Sequence, residues 1–128
     1  MTQDEKDLLL KDLCTRLPYG VKVEYNGEKY KIANVSICNE TITIYGERGY
    51  PMEVEIKKVK PYLFPISSMT EWQDRELEIL MKNSIESCGM LSPYDCLEME
   101  RFFNENYLDW RGLIPKGLAN DATGLNIY

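Results

Sequence analysis

The stretch from residue 18 to residue 65, in which apolar and polar residues alternate between tight turns, constrains the fold of this chain most strongly. From Val21 to Tyr25, apolar and charged residues alternate in the period-two pattern of a half-buried strand. Asn26-Gly27 follows, and these residues tolerate the positive φ of a two-residue hairpin turn. The pattern therefore predicts a β-hairpin at the start of this stretch.

Further strands are predicted over residues 28–37, 41–45 and 53–57, and Val59 leads into the end of the stretch. The apolar positions change parity between Ile32 and Val35, which predicts a bulge near Ala33-Asn34. Parallel neighbours need a crossover of a dozen or more residues, so strands joined by such short turns must be antiparallel. About five short strands bury their faces best when the sheet curls, and the pattern therefore predicts a small antiparallel β-barrel.

Helices are predicted on both sides of the barrel. Thr2 and Glu5 have the spacing of a capping box, which predicts a helix up to residue 17. After Ser68 the apolar spacing changes to three and four residues, which predicts a helical pair over residues 68–106. Frequent glycine and proline predict an irregular tail over residues 107–128. With no evident linker, residues 1–128 are interpreted as one α+β domain: an N-terminal helix (1–17), a barrel (18–65), a helical pair (68–106) and a tail.

Composition and charge argue for a folded protein and against a nucleic-acid binder. The chain is 44% apolar and 28% charged, as in ordinary globular proteins. Its net charge is −6, and residues 16–60 hold eight Lys or Arg against six Glu. An excess of two positive charges spread around a barrel gives little support for neutralising several phosphates together. A solvated surface of mixed charge is therefore the favoured interpretation.

The residue types present give no catalytic or metal-binding constellation. The chain has no histidine, and its four cysteines include no Cys-x-x-Cys pair. We therefore expect no catalytic residues, no metal and no cofactor, and we predict that the protein is not an enzyme. No apolar run approaches the ~20 residues of a membrane helix, and no signal-peptide core is evident. These features predict a cytoplasmic protein with no membrane association, whose cysteines are reduced and packed.

Aromatic residues are the best candidates for a binding function. Tyr45 has the opposite parity to the neighbouring isoleucines, and Tyr50 lies beyond the turn at residues 46–49, so both are predicted to be exposed. Trp110-Arg111 is a second candidate, a loop in which an indole and a guanidinium would form a recognition patch if exposed. These four residues favour a protein partner, because interfaces use large rings with a polar edge.

Nucleic-acid binding is the alternative function that the sequence leaves open. It would use the basic residues of the barrel as one edge, and these are Lys22, Lys29, Lys31, Lys57, Lys58 and Lys60. An enzyme of unrecognised type is a third alternative, which a deep pocket around a buried carboxylate or cysteine would favour. The partner and the oligomeric state do not follow from the sequence.

Two resemblances add to these predictions. The runs Gly20-Val-Lys-Val-Glu-Tyr-Asn-Gly-Glu-Lys-Tyr30 and Val54-x-Ile56-x-x-Val59-Lys-Pro-Tyr62 resemble the SH3-like barrels of Tudor, KOW and related small domains. This resemblance implies that residues 18–65 form an SH3-like barrel. Both tryptophans lie outside that barrel, and the chain lacks a recognisable acidic specificity loop, so the resemblance does not extend to the proline-binding groove of true SH3 domains.

Over nearly its full length, the chain is similar to small uncharacterised proteins encoded in prophages and mobile elements of gut bacteria. The similarity rests on Leu8-Leu-Leu-Lys-Asp-Leu-Cys14, on Lys60-Pro-Tyr-Leu-Phe-Pro-Ile-Ser-Ser-Met-Thr70 and on Trp110-Arg-Gly-Leu-Ile-Pro-Lys-Gly-Leu-Ala119, with Pro18-Tyr-Gly-Val-Lys22 beside the first run. It implies a cytoplasmic accessory protein with a phage-related role, and it carries over no catalytic residue.

Overall fold

The fold was described from a computed structural model, which covers residues 1–47, 49–88 and 93–128, with only the backbone for residues 83–88. The helices are α1 (Gln3–Arg16), α2 (Glu71–Cys88) and α3 (Pro93–Glu105). The strands are β1 (Lys22–Tyr25), β2 (Glu28–Ser36), β3 (Thr41–Tyr45), β4 (Met52–Glu55), β5 (Val59–Leu63) and β6 (Asn120–Asp121). Short 3-10 helices occur at Leu17–Tyr19, Ile56–Lys58 and Ile66–Ser68. The predicted α+β class is confirmed.

The capping box predicted for α1 is present. The Glu5 amide donates to the Thr2 hydroxyl at 3.2 Å, and the Thr2 amide donates to Glu5 Oε1 at 3.1 Å. These bonds satisfy backbone donors that the first turn leaves open. The hydrogen bond from the Thr2 amide lowers the pKa of the Glu5 carboxyl. The helix ends at Arg16, and Gly20 reverses the chain with a φ of +73°. The predicted N-terminal helix is therefore confirmed.

The six strands form one sheet in the order β4-β3-β2-β1-β5-β6. Strands β1 to β5 pair antiparallel, and the register shifts between Ile32 and Asn34, where the sequence predicts a bulge. The sheet is not closed into a barrel, because β4 and β6 are its two edge strands. To close the sheet into a barrel, β4 would have to pair with the side of β5 that faces away from β1. Strand β6 already pairs with that side. The predicted barrel is thus observed only as an open sheet.

The tail differs most from its prediction. Its strand β6 pairs parallel to β5, with Tyr62 opposite Asn120 and Leu63 opposite Asp121. This pairing adds a two-residue strand to a tail that is otherwise irregular, and it corrects the expectation of a purely antiparallel sheet. The crossover rule allows it, because α2 and α3 lie in the long connection between the two strands. A two-residue strand has no alternating pattern, so sequence analysis had no signal for it.

The main hydrophobic core joins α1, the inner face of the sheet and the tail. From α1, Leu9 and Leu13 are fully buried against the sheet residues Val23 and Ile44. The tail contributes Leu113, which is also fully buried, together with Leu118 and Ala119. A smaller cluster of Tyr62, Ala122 and Ile127 packs beside β6. The tail therefore completes the core.

The predicted helical pair is confirmed as α2 and α3, which pack against each other. Gln73 of α2 donates to Asn106, just beyond α3, at 3.1 Å. Over residues 71–82, none of the α2 side chains is buried, and Trp72 is 78% exposed. By contrast, α3 buries Phe102 and Asn104 near its end. The second helix is thus held to the protein chiefly through the third.

Two sequence expectations about the environment of the chain can be compared with the fold. None of the described helices is both long enough and apolar enough to cross a bilayer. Cys38 and Cys96 are exposed, which corrects the expectation that the cysteines are packed. Cys14 is half-buried, and burial raises the pKa of its thiol.

Candidate functional site

Residues from both sequence hypotheses meet in one open groove on the sheet. The groove has a volume of about 1050 Å³. It is lined by Lys22, Glu28, Lys29, Tyr30, Lys31, Tyr45, Gly46, Glu47, Gly49, Tyr50 and Met52. We call it the β1–β3 groove. It combines the predicted binding residues Tyr45 and Tyr50 with three of the six lysines that the alternative hypothesis selected.

Strand register places the polar lining on the outer face of the sheet. Lys22 of β1 lies opposite Lys31 of β2, and Lys31 lies opposite Tyr45 of β3. Residues directly opposite share a face, so these three side chains form a row across three strands. The inner face carries Val23 and Ile44, the sequence neighbours of the row, which are fully buried. The hydrophobic core therefore fixes the outward direction of these three side chains. Tyr30 lies opposite Val23 and packs against the core, so it reaches the groove from the inner face.

The turn between β3 and β4 forms one wall of the groove. Gly46 packs on the ring of Tyr30, where an added Cβ would lie 3.5 Å from the ring carbons. Tyr30 packs edge-on against Tyr25, and its hydroxyl donates to Glu28 at 3.0 Å. That hydrogen bond raises the pKa of Tyr30. This wall therefore consists of the Tyr30 ring, which Tyr25 and Glu28 hold in place, and of Gly46 beside it.

The two tyrosines predicted to be exposed are exposed. Tyr50 is 94% exposed and Tyr45 is 37% exposed. Both line the groove, and Tyr45 lies at the end of β3, where it pairs with Lys31 of β2. The predicted exposure of both side chains is therefore confirmed.

The lysines of the groove are not equally available. Lys22 Nζ donates to the carbonyl of Ile127 at 2.8 Å and lies 5.8 Å from the ring centre of Tyr128. Within the described part of the chain, no carboxylate lies within 4.0 Å of the amine of Lys29 or Lys31. Like charges directly opposite on neighbouring strands repel, and Lys22 and Lys31 form such a pair. Within the described residues, no ion pair therefore compensates the charge of Lys29 or Lys31, although Glu24 lies opposite Lys29 across β1 and β2.

The other three lysines of the nucleic-acid hypothesis do not line the groove. Lys57 forms an ion pair with Glu55 at 3.2 Å and lowers the pKa of that carboxyl. Lys58 follows it in the 3-10 helix Ile56–Lys58, and Lys60 lies opposite Glu24 across β5 and β1. Three of the six lysines in the predicted basic edge therefore line the groove, and the other three lie outside it.

Trp110 is half-buried and the Arg111 side chain is buried, and a network of polar contacts holds both. The Arg111 side chain is only 6% exposed and donates to Asp12 Oδ1 at 2.7 Å and to Glu100 Oε1 at 3.2 Å. Its guanidinium lies 4.0 Å from the ring centre of Trp110, whose indole donates to Asn104 at 3.0 Å. These contacts tie α1, α3 and the tail together. The structure thus corrects the hypothesis of an exposed patch at this loop.

Asp12, at the centre of this network, is a buried partner that the sequence did not predict. Asp12 and Arg16 are both fully buried, and Arg16 Nε donates to Asp12 Oδ2 at 2.9 Å. A second guanidinium nitrogen of Arg16 donates to the carbonyl of Leu108 at 2.6 Å. The signal in the sequence was the spacing of Asp12 and Arg16, which places them on one side of a helix. Nothing in that spacing reveals that the pair is buried.

Tyr128 is anchored beside the groove by its hydroxyl and its ring. The hydroxyl accepts from the Lys22 amide at 2.8 Å and donates to the Tyr62 carbonyl at 2.9 Å. Its ring stacks on Tyr107 with a centroid distance of 3.7 Å. Although 41% of the Tyr128 surface is exposed, desolvation around its hydrogen-bonded hydroxyl raises the pKa of this side chain above the usual range of a tyrosine. The neutral phenol is therefore the form that the fold stabilises.

Replacing Tyr128 with phenylalanine is expected to give a pH-dependent loss of stability. Near pH 8, the lost hydrogen bonds should lower the free energy of unfolding by about 1 kcal/mol. The raised pKa means that the stability from the neutral phenol is present below about pH 10 and is lost as the pH rises further. The gap between wild type and Tyr128→Phe should therefore narrow by about pH 11 in urea titrations.

The matched control for this experiment is Tyr94→Phe, the same change at a side chain that is 68% exposed. It should leave the unfolding midpoint unchanged at both pH values. A constant gap for Tyr128→Phe across this pH range would show that the Tyr128 hydroxyl ionises freely in the folded protein.

Comparison with protein-family models, with curated proteins and with solved structures gives no match to this chain. Among the described residues, no three His, Cys, Asp or Glu side chains are grouped closely enough to hold a metal ion. The geometry and the electrostatics of the groove therefore carry the functional argument.

Proposed function

We propose that this protein is a non-enzymatic interaction module that binds an extended segment of a partner protein in the β1–β3 groove. The observation that carries the proposal is the position of Tyr50, which is 94% exposed at the rim of a groove with two further tyrosines, Tyr30 and Tyr45. Tyrosines bury a large area at low entropic cost and often anchor interfaces.

The geometry of the groove supports an elongated ligand. Tyr45, Lys31 and Lys22 stand in a row across three paired strands, so their backbones are fixed before a ligand arrives. A volume of about 1050 Å³ lies at the upper end of the range for small-molecule pockets, and it suits a short run of extended peptide. A preorganised surface loses less entropy on binding than a mobile loop does.

The SH3-like assignment is part of this proposal. Strands β1 to β5 pair antiparallel in the order β4-β3-β2-β1-β5, and the bulge at residues 32–34 bends the sheet. These features support a curled sheet of the SH3-like kind, to which β6 adds. A cytoplasmic, phage-related role also belongs to the proposal and rests on the resemblance described above.

Single-stranded nucleic acid is the second candidate ligand. Lysines beside exposed tyrosines favour it, because such sites bind phosphates and stack bases. Glu28 and Glu47, which also line the groove, disfavour a continuous polyanion, as does the net charge of −6. We therefore rank a peptide ligand first.

Selection of a random dodecapeptide library on the immobilised protein tests the proposed function. Peptides recovered on wild type are then titrated into Tyr50→Ala and into Tyr94→Ala, a matched control in which the replaced tyrosine is 68% exposed on α3. We expect Tyr50→Ala to weaken binding about tenfold, as loss of an anchoring aromatic does. Tyr94→Ala should bind as wild type does.

Recovery of no peptide, or equal weakening by Tyr50→Ala and Tyr94→Ala, would contradict the proposed function. Binding of oligothymidylate that weakens steeply with salt would favour the nucleic-acid candidate instead. Circular dichroism of each variant confirms that the fold is retained.

A further inference from the structure

We propose that the segment bound in the β1–β3 groove is acidic, with two carboxylates separated by one residue in an extended chain. Lys29 and Lys31 would bind these carboxylates, and an apolar or aromatic side chain next to them would pack on Tyr45 and Tyr50. This inference rests on the proposed function and specifies the chemistry of its ligand.

The first argument is the charge of the lysines. Lys29 and Lys31 are exposed, and neither forms an ion pair with any carboxylate of the described chain. Lys31 faces Lys22 directly across β1 and β2. Lys29 faces Glu24 across the same two strands but forms no ion pair with it within 4.0 Å. A directly opposed pair of like charges destabilises a sheet, and a bound anion would relieve that repulsion. The local charge therefore favours an acidic ligand.

The three lysines of the groove differ in whether their amines are available to a ligand. The amine of Lys22 already donates to the Ile127 carbonyl at 2.8 Å, so recruiting it would break a contact with the tail. Lys29 and Lys31 have no such contact within the described residues. They also lie two residues apart on β2, and side chains with this separation project to the same face. The groove thus offers two available amines on one strand.

The spacing of Lys29 and Lys31 along β2 matches the spacing of alternate residues in an extended peptide. Two residues along a strand correspond to roughly 7 Å, so the attachment points of Lys29 and Lys31 are separated by about that distance. An extended peptide has the same repeat, and its first and third side chains project to one side. Carboxylates in an acid-x-acid pattern therefore match the two lysines without bending the ligand.

The two glutamates of the groove lining favour a peptide ligand over a nucleic acid. Glu28 and Glu47 line the same groove and would repel a chain that carries a charge at every unit. A peptide can place an uncharged residue beside each of them. Tyr50, 94% exposed, and Met52, 37% exposed, then provide apolar contact area next to the lysines. A groove lined by lysines, glutamates, tyrosines and a methionine therefore favours a ligand that carries both acidic and apolar residues.

Fluorescence anisotropy with three synthetic dodecapeptide pools tests this inference. The pools share randomised flanks and differ in a fixed centre: glutamate-x-glutamate, glutamine-x-glutamine or lysine-x-lysine. Each pool is titrated at low and at high salt into wild type, Tyr50→Ala and two double variants. The first double variant is Lys29→Ala/Lys31→Ala, and the second is Lys57→Ala/Lys58→Ala, which removes the same charge outside the groove.

At low salt, the glutamate pool should bind wild type about fivefold to tenfold more tightly than the glutamine pool, as two solvent-exposed ion pairs allow. Lys29→Ala/Lys31→Ala should abolish that preference, and high salt should reduce it. Lys57→Ala/Lys58→Ala should keep it. Equal loss in the two double variants would overturn the inference, because it would show a general charge effect.

The remaining outcomes separate this inference from the proposed function. If the glutamine pool binds as tightly as the glutamate pool and both depend on Tyr50, the acidic ligand is refuted and the interaction module stands. If no pool binds, both are refuted. Oligothymidylate that binds more tightly than the glutamate pool, and loses affinity in Lys29→Ala/Lys31→Ala, would overturn the peptide ligand in favour of nucleic acid.

Discussion

Replacing Asp12 with asparagine is expected to lower the free energy of unfolding by about 3–5 kcal/mol, because the change leaves buried cations without their partner. The Asp12 carboxylate is fully buried between Arg16, at 2.9 Å, and Arg111, at 2.7 Å. Arg16 Nη1 already lacks a hydrogen-bond partner in the described structure. Loss of the Asp12 carboxylate would therefore leave a second nitrogen of this buried guanidinium without an acceptor, at a large cost in stability. Urea unfolding followed by circular dichroism measures the change.

The control is Glu55→Gln, the same carboxylate-to-amide change in an exposed ion pair. Both side chains of the Lys57–Glu55 pair are 54% exposed. Solvent-screened pairs contribute little, and we expect the urea midpoint of Glu55→Gln to stay close to that of wild type. Similar losses for Asp12→Asn and Glu55→Gln would contradict the burial of the Asp12 network and its role in joining α1 to the tail.

Replacing Leu13 with alanine should lower the free energy of unfolding by about 2–5 kcal/mol, because the truncation leaves a cavity between α1 and the sheet. Leu13 is fully buried in the cluster that contains Ile44 of the sheet and Leu113 of the tail. If these elements form one cooperative unit, far-ultraviolet circular dichroism and tryptophan fluorescence should shift to the same lower urea midpoint.

Leu97→Ala is the matched control for Leu13→Ala. Leu97 lies on α3 and is 64% exposed, so the same truncation creates no internal cavity. Its expected effect is within about 0.5 kcal/mol. Transitions that differ between the two probes in Leu13→Ala would show that α1 and the remaining structure unfold separately.

Local patterns predicted most of the individual elements. The capping box at Thr2 located the start of α1 at Gln3, and the change of parity after Ile32 located the bulge. These signals act over a few residues, so one sequence is enough to read them. The tail had no such signal, because β6 has two residues and its partner β5 is distant in the sequence.

The candidate site was predicted in pieces. The exposure of Tyr45 and Tyr50 followed from strand parity and from the position of a turn. Strand periodicity also placed Lys29 and Lys31 on a strand, but as part of a competing hypothesis. Their convergence with the tyrosines depends on the pairing of β2 with β3, which opposes Lys31 and Tyr45. The short turns predicted that these strands are antiparallel, but they did not predict the register that brings Lys31 opposite Tyr45.

The sequence by itself determined the class of the fold, the helices, the bulged antiparallel strands and the exposed tyrosines, because each depends on periodicity or capping within a short window. The tertiary structure decided that the sheet stays open and that the tail completes the core. It also decided that the Arg111 side chain is buried, whereas Lys29 and Lys31 form no ion pair with any described carboxylate. The physical reason is that burial and charge compensation depend on which distant residues meet, and those meetings are set by the packing of the whole chain.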